Sequence, residues 1–214
     1  MSKTTAPLLS FGASGQIGKT LVYGSWKGRP YARRYVIPAN PNSTDQQETR
    51  NTFKWLNNVY KFMPTAAAQA WELYGQNNRF TARNGFIKQN LSNLREEADL
   101  TNFLFSPSAG GGLVAAGMVA TGGNDQVTVD LTAPSLPAGW TIVEAVAAVI
   151  RQQDPQSGLL YEVTAGTDAT STYQIVLTGL ASAETYVVGG WFKYAKSSTE
   201  FAYGQALMDT ALTT

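Results

Sequence analysis

The sequence predicts an α+β chain: a β-hairpin and helical part on the N-terminal side, followed by an all-β two-sheet sandwich. Three observations predict it. Apolar and aromatic residues recur at three- and four-residue spacing between residues 44 and 94. Short alternating segments bounded by turn residues fill residues 113–207. The charge changes sign along the chain: 13 Lys and Arg against 3 acids in residues 1–95, then 3 against 12 in residues 96–214.

The first segment, residues 8–37, reads as extended structure in runs over 8–11, 17–23 and 30–37. Gly12, Gly15 and Gly18 are expected to form one turn, and Gly24 and Gly28 another. Side-chain alternation puts Tyr31, Arg33 and Tyr35 on one strand face and Ala32, Arg34 and Val36 on the other. Pro38 and Pro41 close this region, since proline suits neither a helix interior nor a central strand.

A helix is expected from Ser43 or Thr44. Asp45 and Glu48 favour the positive end of its dipole, and Thr44 with Gln47 has the spacing of a capping box. Phe53, Leu56, Tyr60 and Met63 form its apolar stripe, widened by Trp55, Val59 and Phe62, and Pro64 stops it. A second helix runs from Thr65 to Gly75 with Trp71 and Tyr74. A third runs from Thr81 to about Leu100, with Phe86, Leu91 and Leu94 inward. Gly85 weakens the third by about 1 kcal/mol relative to alanine. These rings read as core rather than as a cofactor box.

Ser106 to Gly112 reads as a Gly/Ser linker between a basic docking domain, residues 1–105, and an acidic sandwich, residues 113–214. Strands are expected over 113–120, 126–131, 141–151, 159–165, 172–180, 185–194 and 200–207. Turn signals such as Gly122-Gly123-Asn124-Asp125 and Asp154-Pro155-Gln156-Ser157-Gly158 separate them.

Composition narrows the chemistry. The chain has no Cys and no His, which removes disulfides, thiolate nucleophiles, Cys/His zinc sites and imidazole bases. Charged residues make up 14% of the chain, against about a quarter in ordinary domains, which suits a surface taken up by neighbours. The first residues lack the apolar core of a signal peptide, and no apolar run approaches the ~20 residues of a membrane span. No membrane, small-molecule substrate, cofactor or metal is expected. Asp125, Asp154 and Asp168 fall in turns, where turn chemistry accounts for them.

Gly12-Ala13-Ser14-Gly15-Gln16-Ile17-Gly18 looks like the glycine turn of dinucleotide-binding oxidoreductases. That turn must lead into a helix, with an acid ~20 residues on. Here Gly24 and Gly28 interrupt the helix, and the first acid is Asp45. Gly18-Lys19-Thr20 likewise lacks the earlier glycine of a phosphate loop at the required spacing. A glycine-punctuated hairpin accounts for both. On that hairpin Trp26, Lys27, Arg29, Tyr31, Arg33 and Arg34 combine rings with cations, and no carboxylate precedes Asp45. Such a surface serves protein interfaces, where Trp, Tyr and Arg are the usual anchors, or single-stranded nucleic acid. Protein contact is favoured, because no nucleic-acid fold signature accompanies it. These six residues are the interface candidates.

Leu180-Ala181-Ser182-Ala183-Glu184-Thr185-Tyr186 resembles the tyrosine corner of fibronectin type III modules, which implies an immunoglobulin/fibronectin-like sandwich. Ala183 stands where many such modules have glycine, and no Trp marks an early strand, so the subtype stays open. Gly24-Ser25-Trp26-Lys27-Gly28 with Tyr31 and Arg33, then Asn40-Pro41, Gln46 or Gln47, Arg50 and Phe53, is similar to a group of bacteriophage and prophage proteins. Thr44 falls one place later than in that group's pattern. The likeness continues through Ala70-Trp71-Glu72-Leu73-Tyr74 and Arg83-Asn84-Gly85-Phe86-Ile87 to Asn90-Leu91, over about residues 12–94. It implies a non-enzymatic virion structural protein of head, collar, tail or baseplate, assembled in the host cytoplasm. Its partners would be other virion proteins and further copies of itself. The alternative is a nucleic-acid-binding accessory protein using the same patch.

Overall fold

The computed structural model describes residues 2–3, 13–37, 39–95, 99–107, 113–160 and 162–214, in two compact units, Met1–Asn42 and Ser43–Thr214. In the first unit, β1 (Ser2–Lys3), β2 (Gly15–Ile17), β3 (Leu21–Trp26) and β4 (Arg29–Arg34) form an antiparallel sheet in the order β1-β4-β3-β2. Lys27 and Gly28, both at positive φ (49° and 75°), make the two-residue turn between β3 and β4, the backbone form that matches hairpin twist. The Gly18-Lys19-Thr20 triplet is also a hairpin bend. The Thr20 amide and hydroxyl both donate to the Ile17 carbonyl, at 3.0 and 2.9 Å, and a strand follows rather than a helix. Gly24, expected in a turn, lies inside β3 opposite Tyr31. The Tyr31 ring crosses it so closely that a Cβ there would sit 2.8 Å from the phenol oxygen. Tyr35 and Val36 lie past the end of β4. The expected strand over 8–11 and Gly12 lie outside the described residues.

In the second unit the helices are α1 (Thr44–Phe62), α2 (Thr65–Asn78) and α3 (Ala82–Leu94). Ser43 is the N-cap of α1, with no side-chain capping bond, so the expected Thr44–Gln47 box does not form. The buried face of α1 is Thr52, Trp55, Leu56 and Val59, an i, i+3, i+4, i+7 stripe. Phe53 and Phe62, assigned to that stripe from sequence, are 47% and 61% exposed. The second helix passes Gly75 and ends at Arg79 in the left-handed region. Gly75 is where the returning chain touches the helix: a Cβ would meet the Phe80 carbonyl at 2.8 Å. Thr81 caps α3 by accepting from the Asn84 amide, and α3 ends at Leu94, short of the expected Leu100.

The sandwich follows. One sheet is β5 (Gly117–Gly123), β6 (Gln126–Thr132) and β9 (Gln174–Thr178) in the order β5-β6-β9. The other is built on β7 (Thr141–Arg151) and β10 (Thr185–Ala195), with β8 (Val163–Asp168) beside β7. Both β11 (Phe201–Tyr203) and β12 (Leu207–Leu212) pair with β10. The architecture is α+β, and its all-β part is an immunoglobulin/fibronectin-like sandwich. The single strand expected over 200–207 is two strands, and 207–212 was missed. The break between them is filled by the buried Ser106 hydroxyl, which donates to the Gly204 carbonyl at 2.9 Å and accepts from the Ala206 amide at 2.7 Å.

That contact changes the domain plan. Phe103, Phe105 and Ser106 are buried, and the compact units meet after Asn42 rather than at 106–112. Residues 108–112 of the expected linker lie outside the described residues. The helices form a third layer on the β7–β10 sheet. Trp55, Leu56, Trp71, Phe86, Phe103 and Phe105 share one core with Val146, Ile150 and Trp191. The other face of the same strands packs against the β5-β6-β9 sheet through Ala147, Val149, Val188, Phe192, Val127 and Val129. Hence six consecutive residues of β7, 145–150, are buried, the unbroken apolar run of a strand covered on both sides. Trp71 locks the seam by donating its indole N–H to the Phe105 carbonyl at 2.8 Å.

The tyrosine corner is present. The Ala181 amide donates to the Tyr186 phenol at 2.8 Å, and the phenol donates to Glu162 at 2.5 Å. Replacing Tyr186 by Phe should strand both partners and lower unfolding stability by about 1–3 kcal/mol, read from urea melts. Burial, then the Glu162 bond, pushes the Tyr186 phenol up to about 12, and burial alone does the same to Tyr194. Unfolded phenols titrate near 10, so this stabilisation is complete below that pH. It is lost as pH rises through 10 to 12. Thermal melts should fall in that window, and less steeply in Tyr186→Phe.

Candidate functional site

The structure brings four of the six interface candidates onto one face of the N-terminal sheet. Antiparallel partners share a face, and the register pairs Trp26 with Arg29, Gly24 with Tyr31, and Val22 with Arg33. Trp26, Arg29, Tyr31 and Arg33 therefore stand together. Lys27 occupies the turn, and Arg34, opposite Leu21, is on the reverse face. Trp26 is 70% exposed. The absent side chain of Gly24 leaves room for the Tyr31 ring to lie flat across the strand.

None of the described residues between 13 and 42 is buried, and Ile17, Leu21, Val36 and Ile37 are exposed, as is Trp26. Among the described residues the sheet thus has apolar and aromatic side chains but no buried core. Residues 1–42 carry six Lys and Arg and no acid, so any surface that covers this sheet at low energetic cost must be neutral or acidic.

Two open grooves of the second unit lie against its helices. One, about 500 Å³, lies between α1 and α3 over Phe53 and Leu91, flanked by Arg50 and Arg95. The other, about 240 Å³, lies beside α2 and is floored by Phe201 and Tyr203. Lys193 closes it, held by Glu144 at 3.1 Å and Gln69 at 3.4 Å. Burial works to lower the Lys193 ammonium, but the Glu144 bond and the nearby Tyr203 outweigh it and hold it above its ordinary value. The cluster stays charged and serves to pin α2 to the sandwich. Among the described residues no three acids gather as a metal site would need. No helix among them is long and apolar enough to cross a membrane.

Sequence reasoning missed a second surface. The outer face of the β5-β6-β9 sheet carries Val119, 60% exposed, and Val176, 48% exposed, around Asp130. Its signal was the alternation in β6, where Val127, Val129 and Leu131 are buried between polar residues. Reading it required knowing which strands flank β6.

No family model and no curated protein matches the chain. Among solved structures it is similar to the fibronectin type III domain of human collagen alpha-1(XX), at 16% identity and TM-score 0.37, over 50% of this chain and 90% of that one. It is also similar to the FN5 domain of Drosophila Lar, at 16% identity and TM-score 0.31, over 45% of this chain and 92% of that one. A third is the extracellular region of rat CD45, domains d3–d4, at 18% identity and TM-score 0.32, over 46% of this chain and 47% of that one.

Proposed function

We propose that this chain is a non-enzymatic structural component of a bacteriophage particle that docks on other virion subunits through its basic N-terminal sheet. One observation carries the reading: a four-stranded sheet that presents Trp26, Arg29, Tyr31 and Arg33 together while burying none of the residues of β2, β3 and β4. A sheet this small needs a packed face to offset the entropy of ordering its chain. A protein neighbour supplies that face, and the exposed rings and guanidinium groups are the residue types that dominate such contacts. The likeness of residues 12–94 to phage proteins supports a virion as the setting, and a sandwich carried on the same chain as a docking element suits a head, collar or tail part.

Side-chain-resolution microscopy of intact particles is the test. The expected result is this chain on the particle with the Trp26 face covered by protein. Its absence from particles, or a Trp26 face open to solvent there, overturns the reading. Trp26→Ala should cost about 2 kcal/mol or more of docking energy, seen as a drop in copies per particle. The rings and cations on that face also fit a nucleic-acid-binding accessory protein. Fluorescence anisotropy with labelled single-stranded DNA separates the two, since a phosphate-driven contact is strong at low salt and weakens steeply as salt rises.

A further inference from the structure

The unfilled N-terminal sheet has a counterpart on the sandwich of the same chain. Residues 113–214 contain Arg151, Lys193 and Lys196 as their only bases, and each is paired with an acid: Glu184, Glu144 and Glu200. Asp125, Asp130 and Asp168 lie outside these pairs. Two of them flank Gln174 of β9: Asp130 on the outer face of β6, and Asp168 at the end of β8, within reach of the Gln174 backbone. Gln174 donates its side-chain amide to Asp130 at 2.7 Å and its backbone amide to Asp168 at 3.1 Å. The Thr170 hydroxyl and amide hold the Asp168 carboxyl below its ordinary range, so it is charged at neutral pH.

The register completes the surface. Val119, Asp130 and Gln174 form one row across the three strands, and Thr121, Thr128 and Val176 form the next. The result is a flat face with two exposed valines beside a pair of carboxylates. It matches the Trp26 face in kind: apolar surface for the rings of Trp26 and Tyr31, and carboxylates for Arg29 and Arg33. Arg–carboxylate pairs of this type are bidentate and set register.

We propose that the Trp26–Arg29–Tyr31–Arg33 face of one copy docks on the Val119–Asp130–Val176 face of a second copy, so that the chains associate head to tail. The proposal rests on the docking reading above and names the partner. A second copy is the occupant because every copy carries both halves of the match: six Lys and Arg with no acid in residues 1–42, and 3 bases against 12 acids in residues 96–214. Such a contact uses two different patches, so it propagates into a ring or a filament rather than stopping at a dimer.

The test uses the full-length chain, with mass read by light scattering after size exclusion in 50 mM salt, and folding of each variant checked by circular dichroism. Wild type should form species larger than a monomer that dissociate at 0.5 M salt. The double variant Arg29→Ala, Arg33→Ala and the single variant Asp130→Lys should each be folded monomers, with dissociation constants raised about a hundredfold or more. Mixed in equal amounts, these two monomers should form a dimer and stop. One keeps only the sandwich face, the other only the sheet face, and together they restore one junction. Wild type that stays monomeric, variants that still assemble, or a mixture that stays monomeric each overturns the proposal. The last result would mean that the sheet folds back on its own chain. Wild type that stays monomeric while Trp26→Ala is lost from particles would sink this inference alone, and leave docking on other subunits standing.

Discussion

Trp191→Ala is expected to remove about 3–5 kcal/mol of unfolding stability, a large share of the 5–15 kcal/mol typical of a domain. Trp191 is fully buried in β10, and its ring belongs to the core shared by the helices and the β7–β10 sheet. Four aromatic side chains meet near the same seam edge to face, with Trp71–Phe86 at 5.2 Å and Phe103–Phe105 at 4.9 Å. Losing the indole opens a cavity that rings fixed by their neighbours cannot collapse into. The variant should also melt in one step by both far-UV and near-UV circular dichroism, because helices and sandwich share that core. Separate steps, helices before strands, would show that the helical layer holds itself together without the sheet.

The second large effect is expected at Gly122, in β5. A Cβ there would lie 1.8 Å from the Leu212 carbonyl oxygen, so Gly122→Ala forces two backbones apart. Beyond that point the chain end is tied back: Thr214 donates to the Gly123 carbonyl at 3.0 Å, and Asp125 donates to the Thr214 carbonyl at 3.3 Å. Overpacking of a yielding side chain costs about 1–3 kcal/mol. Here the obstacle is main chain, and the loss should reach about 3 kcal/mol or more. Protection of the Asp125 and Thr214 amides from hydrogen exchange should fall with it. A variant with wild-type stability and unchanged protection would mean that β12 does not close against β5.

Much of the local structure was legible because it depends on neighbours in sequence. Ser43, Pro64 and Thr81 punctuate the helices at or next to their observed ends. The bounds of β7, Thr141 and Arg151, follow from its β-branched and alanine-rich run between a turn and Gln152-Gln153. Tyr186 was legible because the turn from Leu180 brings its phenol back onto its own loop, at Ala181. Errors arose where distant residues decided the outcome. Gly24 reads as a turn until the ring of Tyr31 is seen lying across it. Phe53 fits the α1 stripe by spacing, yet the helix turns toward Trp55 because Phe103 packs against that ring at 5.7 Å. The last strand was cut short because Gly204 looks like its end, while Ser106, 98 residues earlier, bridges the gap and lets pairing resume.

The candidate interface divides in the same way. Residue types alone marked Trp26, Lys27, Arg29, Tyr31, Arg33 and Arg34 as a group, since rings and cations without acids suit few other roles. Only the register separated Trp26, Arg29, Tyr31 and Arg33 from Lys27 and Arg34. By itself the sequence determined the class of the helices and of most strands, the charge division and the tyrosine corner, all of which follow from spacing and composition over a few residues. Tertiary structure decided that the helices are the sandwich's third layer and that none of the described residues of the N-terminal unit from Ala13 onward is buried. Burial on a given face depends on what packs there, and that partner can lie a hundred residues away.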